Sequence, residues 1–386
     1  SLTKPDDDPD VVAEAKIAST AESGTGEDDY VVVVRALRKQ FGEFHAVKGV
    51  SLALRRGECF GLLGENGAGK STTISMLTGL FAPTSGDATI EGYSILTQMP
   101  EVHRLIGVCP QFDVLWPDLT ISETLRFYTR LRGVSGKDID VAVQQSMVDV
   151  SLAEHAHKKV KELSGGMRRR LSIAIALTGD PHVLFFDEPT TGLDPITRRS
   201  LWDVLRKATT GRSVVLTTHS MEEASVLCER VGIMATGRLR CLGTGTRLKN
   251  RFGSGFHVSL AFADASNTTL IDQFISKYLP QAKLAEKFGG GRFLYIVPTD
   301  GVMKGGRLSG FFAAMTQRET REKYGIIDYG LSESSLEDVF VAVIAQAARD
   351  EANKAGKQLD TNNHVDDPDD IVDPSMTDSD EHSSTN

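Results

Sequence analysis

A glycine-rich run in the first part of the chain has the residue types and spacing of a phosphate-binding loop. It fits the pattern GxxxxGK[ST] with Gly64, Glu65, Asn66, Gly67, Ala68, Gly69, Lys70, Ser71 and Thr72. Glycines let the backbone curl so that successive N–H groups point at phosphate oxygens. The lysine can reach the β- and γ-phosphates of a nucleotide, and the serine hydroxyl can ligate Mg²⁺. The pattern therefore predicts nucleotide binding through Lys70 and Ser71.

A pair of carboxylates follows a short apolar run later in the chain. Residues 183–186 predict a buried strand, and Asp187 and Glu188 come at its carboxyl end, where ligands bind in parallel sheets. Asp187 is suited to hold Mg²⁺, either directly or through a neighbouring ligand. Glu188 is suited to orient and deprotonate the attacking water. Together with the phosphate-binding loop, the pair predicts nucleotide hydrolysis.

A Ser-Gly-Gly turn supplies a second candidate anion site. Leu163, Ser164, Gly165, Gly166 and Met167 open a predicted helix, and the N-terminus of a helix attracts negative charge. One fold does not need two phosphate sites for a single triphosphate, but two copies that face each other do. The turn therefore predicts contact with a nucleotide bound to a partner.

These three stretches resemble the ATP-binding cassette of ABC transporters, and four further positions match that family in order. Gln111 matches the family's Q-loop, Asp194 its D-loop and His219 its switch histidine. Phe41 occupies the place of the aromatic residue that stacks on adenine, where the family more often has tyrosine. The resemblance implies an α/β fold of the P-loop NTPase class, namely the ABC ATPase fold with a helical subdomain.

The resemblance also implies roles for individual residues. ATP and Mg²⁺ are the expected ligands, and two cassettes are expected to sandwich each ATP head to tail. The expected catalytic residues are Glu188, His219 and Lys70. The expected ATP contacts within the chain are Phe41, Gly64, Glu65, Asn66, Gly67, Ala68, Gly69, Lys70, Ser71, Thr72 and Gln111. Contacts to the partner's ATP are expected from Ser164, Gly165, Gly166 and Asp194, and Mg²⁺ ligation from Ser71, Gln111 and Asp187.

Several longer stretches resemble subfamily A of the ABC transporters, a group of lipid exporters, and in particular its second cassette. These stretches are residues 57–64, 109–113, 212–223, 237–243 and 248–253. The resemblance implies that the chain powers lipid export at the cytosolic face of a membrane, together with transmembrane domains of a larger protein. The segment from Phe112 to Tyr128 is then expected to be helical and to face those domains.

The elements that must position these residues follow from the patterns of apolar side chains. Around the phosphate-binding loop, the patterns predict strands at 30–37, 50–54 and 59–63 and a helix at 74–80. Beyond the cassette, the predicted elements run βαββαβ, which is the ferredoxin-like arrangement. We therefore expect an ATPase domain over 30–255 and a small α+β regulatory domain over 256–346.

Acidic side chains are concentrated at the two ends of the chain. The 386 residues carry a formal charge of −9, yet residues 1–29 hold nine acidic against two basic side chains, and residues 349–386 hold eleven against three. Both ends are polar and poor in aromatics, which predicts disordered tails over 1–29 and 347–386. The acidic balance does not favour a nucleic-acid partner. No apolar run reaches the roughly 20 residues that a membrane helix needs.

Three alternative functions agree with parts of the sequence. One is a separate ATP-binding subunit of a bacterial-type drug or polysaccharide exporter. Another is a soluble cassette that acts on ribosomes or DNA. Chromosome-type cassettes separate the two anion sites by a long coiled-coil arm, whereas Lys70 and Ser164 are only 94 residues apart with no heptad pattern between them. A cassette that binds ATP without hydrolysing it is disfavoured because Glu188 and His219 are both present.

Overall fold

The computed structural model of the chain describes residues 8–21, 29–264, 268–298 and 307–362. The described residues fall into two units, one that ends at Ile344 and one that begins at Ala345. The first unit contains the three sheets that are described below.

An antiparallel sheet with the strand order β2-β1-β4-β5 comes first in the chain. Its strands are β1 (Tyr30–Phe41), β2 (Phe44–Arg55), β4 (Ser85–Ile90) and β5 (Tyr93–Ser94). The valines at 31–34 are fully buried, because β-branched side chains on both faces of β1 pack into the core. The strand predicted at 30–37 is confirmed, and it extends to Phe41.

The second sheet positions the candidate catalytic residues and has the order β10-β9-β3-β8-β7-β6. Its strands are β3 (Cys59–Gly64), β6 (Ile106–Cys109), β7 (Val183–Asp187), β8 (Ser213–Thr218), β9 (Arg230–Ala235) and β10 (Arg238–Gly243). All neighbouring pairs are parallel except β9 and β10. Because parallel strands end at the same edge, the residues that follow β3, β7 and β8 meet there.

Helices cover the faces of this sheet and form a separate helical layer. They are α2 (Lys70–Leu77), α3 (Met99–Leu105), α4 (Ile121–Leu131), α5 (Asp138–Asp149), α6 (Gly165–Leu177), α7 (Pro195–Ala208), α8 (Met221–Leu227) and α9 (Gly245–Phe252). The apolar sides of α4, α5 and α6 share one buried cluster, which forms the predicted helical subdomain. The prediction of a helix from Phe112 is wrong for residues 112–120. Helix α4 begins only after Thr120, whose hydroxyl forms a capping box with Glu123.

A helix precedes the first strand and corrects the prediction of disorder for residues 9–20. Residues 1–7 and 22–28 of that predicted tail lie outside the described residues. Helix α1 runs from Pro9 to Thr20 and is capped by the Asp8 side chain. Glu14 pairs with Arg230 at 2.8 Å and accepts a hydrogen bond from the N–H of Ala53 at 2.9 Å. The acidic composition did not reveal this helix because its carboxylates are neutralised by arginines far away in the sequence.

The third sheet belongs to the ferredoxin-like domain. Its elements are β11 (Phe256–Phe262), α10 (Thr268–Tyr278), β12 (Lys283–Phe288), β13 (Arg292–Val297), α11 (Arg307–Thr316), α12 (Arg318–Tyr324) and β14 (Ile326–Glu333). The order β12-β13-β11-β14 is antiparallel throughout. This topology confirms the predicted ferredoxin-like fold class.

A last helix, α13, runs from Leu336 to Asn362. It corrects the prediction that disorder begins at 347, since residues 347–362 continue the helix. Four of these sixteen residues are alanine, which has the highest intrinsic helix propensity. The rest of the predicted tail, 363–386, lies outside the described residues. Among the helices of the described residues, none is long and apolar enough to cross a membrane.

Candidate active site

The phosphate-binding loop connects β3 to α2, the order that the sequence predicts. Gly67 and Gly69 have φ values of 82° and 103°, which favour glycine over every other residue. A side chain at Gly69 would also place its Cβ 2.7 Å from the carbonyl oxygen of Ala46. No side chain caps the first turn of α2, so its N–H groups remain directed at the loop.

Lys70 is buried at the start of α2 and reaches back across the loop. Its Nζ donates hydrogen bonds to the carbonyl oxygens of Gly64 at 2.8 Å and Glu65 at 3.1 Å. The same nitrogen lies 3.4 Å from Oε1 of Glu188. The lysine therefore joins the loop to the carboxylate that follows β7.

The hydroxyl and carboxylate that could hold Mg²⁺ lie side by side. Ser71 Oγ donates a hydrogen bond to Oδ1 of Asp187 at 2.9 Å, and Thr217 donates to the same oxygen. Such oxygens are the donors that Mg²⁺ prefers, completed in these sites by phosphate and water. Gln111 is not bonded to this pair in the described residues and instead donates to Glu188. The residues present thus fit a magnesium site at Ser71 and Asp187.

Glu188 is the most heavily constrained side chain of the site. Its backbone has a φ of 45°, a left-handed conformation that residues other than glycine rarely adopt. Its Oε2 accepts hydrogen bonds from Thr191 at 2.9 Å and Gln111 at 3.4 Å, and it lies 3.3 Å from Nδ1 of His219. Only 6% of the side chain is exposed, whereas half of His219 is. The arrangement can hold a carboxylate ready to accept a proton.

Phe41 lies on the surface beside Phe81 and Lys39, and these surroundings suit the binding of an adenine base. Its ring packs edge-on against Phe81 with centroids 5.8 Å apart, and Nζ of Lys39 lies 5.1 Å from its centre. The side chain is 44% exposed, which leaves a ring face open for stacking. Sequence reasoning missed Phe81 and Lys39, because neither belongs to a recognisable motif.

The residues expected to contact a partner's ATP lie at two exposed helix starts. Ser164 caps α6 by accepting a hydrogen bond from the N–H of Met167 at 3.3 Å. Asp194 caps α7 by accepting a hydrogen bond from the N–H of Thr197 at 3.1 Å. Hydrogen bonding from the Thr197 side chain, and then from its backbone, lowers the pKa of Asp194. Gly166 packs so closely against Thr197 that a Cβ there would come within 2.5 Å. Among the described residues, none of these side chains is bonded to the phosphate-binding loop.

Comparisons with known proteins identify the arrangement. A family described as ABC transporter matches residues 47–191. ABC transporter A family member 2 of Arabidopsis thaliana is 39% identical over 380 residues, which cover 92% of this chain and 38% of the relative. Member 7 of Dictyostelium discoideum is 42% identical over 321 residues, covering 82% of this chain and 37% of the relative. This chain carries an ABC transporter ATP-binding domain.

Solved structures agree with this assignment. One solved structure is described as a dimeric post-hydrolysis state of an ATP-binding cassette bound to ADP and Pi. It is 27% identical to this chain with a TM-score of 0.51, and the match covers 55% of this chain and 98% of the solved chain. A solved structure of an ATP-binding subunit of an ABC transporter is 28% identical to this chain, with a TM-score of 0.53. The match covers 58% of this chain and 93% of the solved chain. The domain is therefore an ABC ATPase, and the chain spans less than two fifths of the A family members it matches.

Arg169 is a further residue of this ABC ATPase domain that sequence reasoning missed. Its buried guanidinium donates to the carbonyl oxygens of Pro189 and Pro110, both at 2.6 Å, and lies 3.1 Å from Oδ1 of Asp113. It also donates to the backbone oxygens of Asp187 and Glu188. One side chain from α6 thus joins the segments that carry Gln111 and Glu188. The run of three arginines at 168–170 was the available signal, but it does not show which of them points inward.

Proposed function

We propose that this chain is the ATP-hydrolysing engine of a membrane exporter and that two cassettes enclose each ATP head to tail. The observation that carries the proposal is the separation of two sets of residues. The phosphate-binding loop and Glu188 share one buried site, while Ser164 and Asp194 lie exposed at helix starts with no bond to that site in the described residues. A partner's ATP would complete the hydrogen bonding of those helix starts.

The chemistry follows from the positions of four side chains. Lys70 would bind the phosphates, and Glu188 would orient the attacking water and take its proton. His219 lies 3.3 Å from Glu188 and would contact the γ-phosphate once the pair of cassettes closes. Ser71 and Asp187 would hold Mg²⁺, which when bound neutralises charge on the β- and γ-phosphate oxygens.

Turnover measured against chain concentration tests the composite site. We expect the rate per chain to rise with concentration, and we expect Glu188→Gln to form a dimer in MgATP that light scattering detects. Gly165→Asp is a variant that should affect dimerisation alone. A Cβ at position 165 meets no atom within 4 Å, so the fold should tolerate it, whereas the carboxylate brings negative charge to the anion site. It should fold normally and fail to dimerise. A high rate that does not depend on concentration would contradict the proposal.

An exposed apolar surface follows Gln111 and supports a membrane-domain partner. Trp116 packs edge-on against Phe127 with centroids 4.9 Å apart and stacks on Tyr128. Phe112 and Val114 are each about three quarters exposed. Apolar patches of this kind mark interaction sites. We propose that this surface binds the transmembrane part of the transporter at the cytosolic face of the membrane.

Lipid is the transported substrate that we propose, on the resemblance to subfamily A. Similarity to A family members over 92% of the chain supports this proposal. The test is ATP-dependent movement of a fluorescent phospholipid by the full-length transporter in vesicles. Glu188→Gln in this cassette should slow that movement, and full ATPase activity without lipid movement would argue for another substrate.

A further inference from the structure

A cavity of about 390 Å³ opens in the ferredoxin-like domain, and the described residues that line it do not belong to the candidate active site. All four strands of the third sheet contribute to its lining, with Ser259 on β11, Phe288 on β12, Arg292 on β13 and Asp328 on β14. Pockets of about 300–1,000 Å³ are the usual size of small-molecule sites. The cavity is therefore large enough for a small molecule, and the proposed hydrolysis of ATP does not use it.

The register of the sheet brings four of the residues that line the cavity into one row. Ala261 is the partner of Arg292 on β13 and of Asp328 on β14, and Arg292 is the partner of Phe288 on β12. Residues that are partners across neighbouring strands share one face of a sheet. Leu260, which precedes Ala261, belongs to the buried cluster that includes α10 and α11, so the row lies on the face opposite those helices.

The cavity is lined by one cation and one anion that do not neutralise each other. The guanidinium of Arg292 makes no hydrogen bond or ion pair with another described residue. Oδ1 of Asp328 accepts a hydrogen bond from the N–H of Tyr329 at 2.9 Å, and Oδ2 accepts none within the described part of the chain. Strand β11 lies between β13 and β14, which sets the two backbones about 10 Å apart. Both charges are therefore available to a ligand that lies between them.

Small side chains on the central strand leave room for a ligand, and an aromatic ring provides an apolar wall. Ser259 and Ala261 are the small residues of β11 that line the cavity. Gly330 is the partner of Ser259, and a Cβ at that glycine would come within 2.6 Å of Ser259 Oγ. Phe288 is 49% exposed, and the face of such a ring attracts ammonium groups as well as apolar groups. The cavity thus combines two opposite charges with an apolar surface.

We infer that this cavity binds a small zwitterion, with its anionic group on Arg292 and its ammonium group on Asp328. A guanidinium offers a planar fork of donors that suits a carboxylate or a phosphate, and a carboxylate accepts hydrogen bonds from an ammonium group. A ligand with charge of one sign would leave one of the two side chains unpaired, and a neutral ligand would leave both. Free amino acids and the phosphoethanolamine head group of a phospholipid share this chemistry. Binding at the cavity does not require ATP hydrolysis, so it stands apart from the proposed function.

Calorimetric titration of the 386-residue chain with two zwitterions tests the inference. The probes are L-leucine, a free amino acid with an apolar side chain, and phosphoethanolamine, the head group without its lipid. We expect at least one of them to bind at millimolar concentration or below. Binding of leucine alone would identify free amino acids as the ligands, binding of phosphoethanolamine alone would identify phospholipid head groups, and binding of both would support the shared chemistry. Binding of neither would overturn the inference.

Analogues that lack one charge separate ion pairing from apolar contact. 4-Methylpentanoate keeps the side chain and the carboxylate of leucine without its ammonium group, and ethyl phosphate lacks the ammonium group of phosphoethanolamine. Each should bind the wild type about tenfold or more weakly than its parent probe, because the contact with Asp328 is lost. Asp328→Asn should remove that difference. An analogue that binds the wild type as tightly as its parent would overturn the inference.

Variants of the two charged residues complete the test. Arg292→Gln and Asp328→Asn should each weaken the binding of the probe about tenfold or more. The unfolding temperature should not change, because both residues are exposed and asparagine still accepts the N–H of Tyr329. Lys283→Gln and Glu286→Gln are the matched controls, since they remove a cation and an anion from the exposed strand β12 outside the cavity lining, and they should bind as the wild type does. Unchanged binding in both Arg292→Gln and Asp328→Asn would overturn the inference, and so would an equal loss in the controls.

Discussion

Lys70 Nζ lies 3.4 Å from Glu188 Oε1, and both side chains are more than nine-tenths buried. Each charge would be costly in this place without the other. A phosphate that enters the loop competes with Glu188 for the lysine. We expect nucleotide binding to transfer Lys70 to the phosphates and to leave the Glu188 carboxylate held by Thr191, Gln111 and His219.

Replacing Glu188 by glutamine should separate binding from hydrolysis. The amide keeps the shape of the side chain but cannot take a proton, so turnover should fall about 100- to 10,000-fold, the contribution typical of a general base. MgATP affinity, measured with a fluorescent nucleotide, should remain. Glu319→Gln, an exposed acid on α12, is the control. Near-normal phosphate release in Glu188→Gln would assign the base elsewhere, and His219 would be the next candidate.

Mixing two inactive chains should restore activity if the site is composite. Lys70→Met removes the phosphate contact, and Gly165→Asp blocks the exposed anion site. A mixed dimer then holds one complete site, so an equal mixture should recover part of the wild-type rate, whereas neither variant alone can form a complete site. Phosphate release from the mixture is compared with that from each variant alone. A mixture no faster than its components would contradict the head-to-tail arrangement.

Removing the ring of Phe41 should weaken ATP binding. Stacking of a base on an aromatic side chain contributes about 1–3 kcal/mol, so Phe41→Ala should raise the Kd for ATP by the corresponding factor. Phe41→Tyr should bind as the wild type does, because the ring face is kept. Phe288→Ala tests a similarly exposed phenylalanine in the ferredoxin-like domain. Equal affinity of Phe41→Ala and wild type would place adenine elsewhere.

Loss of Arg169 should affect both stability and turnover. Its guanidinium forms an ion pair with Asp113 and donates a hydrogen bond to the carbonyl oxygen of Asp187. Breaking a buried ion pair by removing one partner costs about 3–5 kcal/mol. Arg169→Met should therefore lower the free energy of unfolding in urea. Lysine should rescue little, because it lacks the planar fork of donors. Arg168→Met is the control, since Arg168 donates only to the carbonyl oxygen of Leu163 among the contacts of the described chain.

Helix α1 should stabilise the ATPase domain. Glu14→Leu leaves Arg230 with Glu58 at 3.1 Å as its remaining acidic partner, so we expect a loss of about 1–3 kcal/mol in unfolding free energy. Lys16→Gln, an exposed change on the same helix, should have no effect. An unchanged unfolding curve for Glu14→Leu would mean that the contacts of Glu14 with Arg230 and Ala53 do not stabilise the fold.

The attachment of α1 should also depend on pH in a defined direction. A hydrogen bond from Arg247 holds the pKa of Asp10 below its usual value of 3.8. The folded pKa is the lower one, so the contribution of Asp10 is complete above pH 3.8 and is lost as the pH falls through the folded value. The protection of α1 amides, relative to the intrinsic exchange rate at each pH, should therefore fall below pH 3.8. Protection that does not change there would contradict the role of this ion pair.

Local patterns predicted the parts of the fold that rest on contiguous residues. The apolar runs before Gly64 and Asp187 are buried strands, and the βαββαβ order of the ferredoxin-like domain is present. The predictions failed at 9–20 and 347–362, where composition indicated disorder. In both places a helix forms, and for α1 the reason is pairing with Arg230, which no local pattern contains.

The sequence by itself determined the chemistry that is available, because phosphate binding and proton transfer need particular residue types at short spacings. Lys70, Asp187 and Glu188 were identified in this way. Only the tertiary structure decided how they are held, because charge, burial and hydrogen bonding depend on residues brought together from distant segments. It placed Gln111 within hydrogen-bond distance of Glu188, and it revealed the buried guanidinium of Arg169 behind the site.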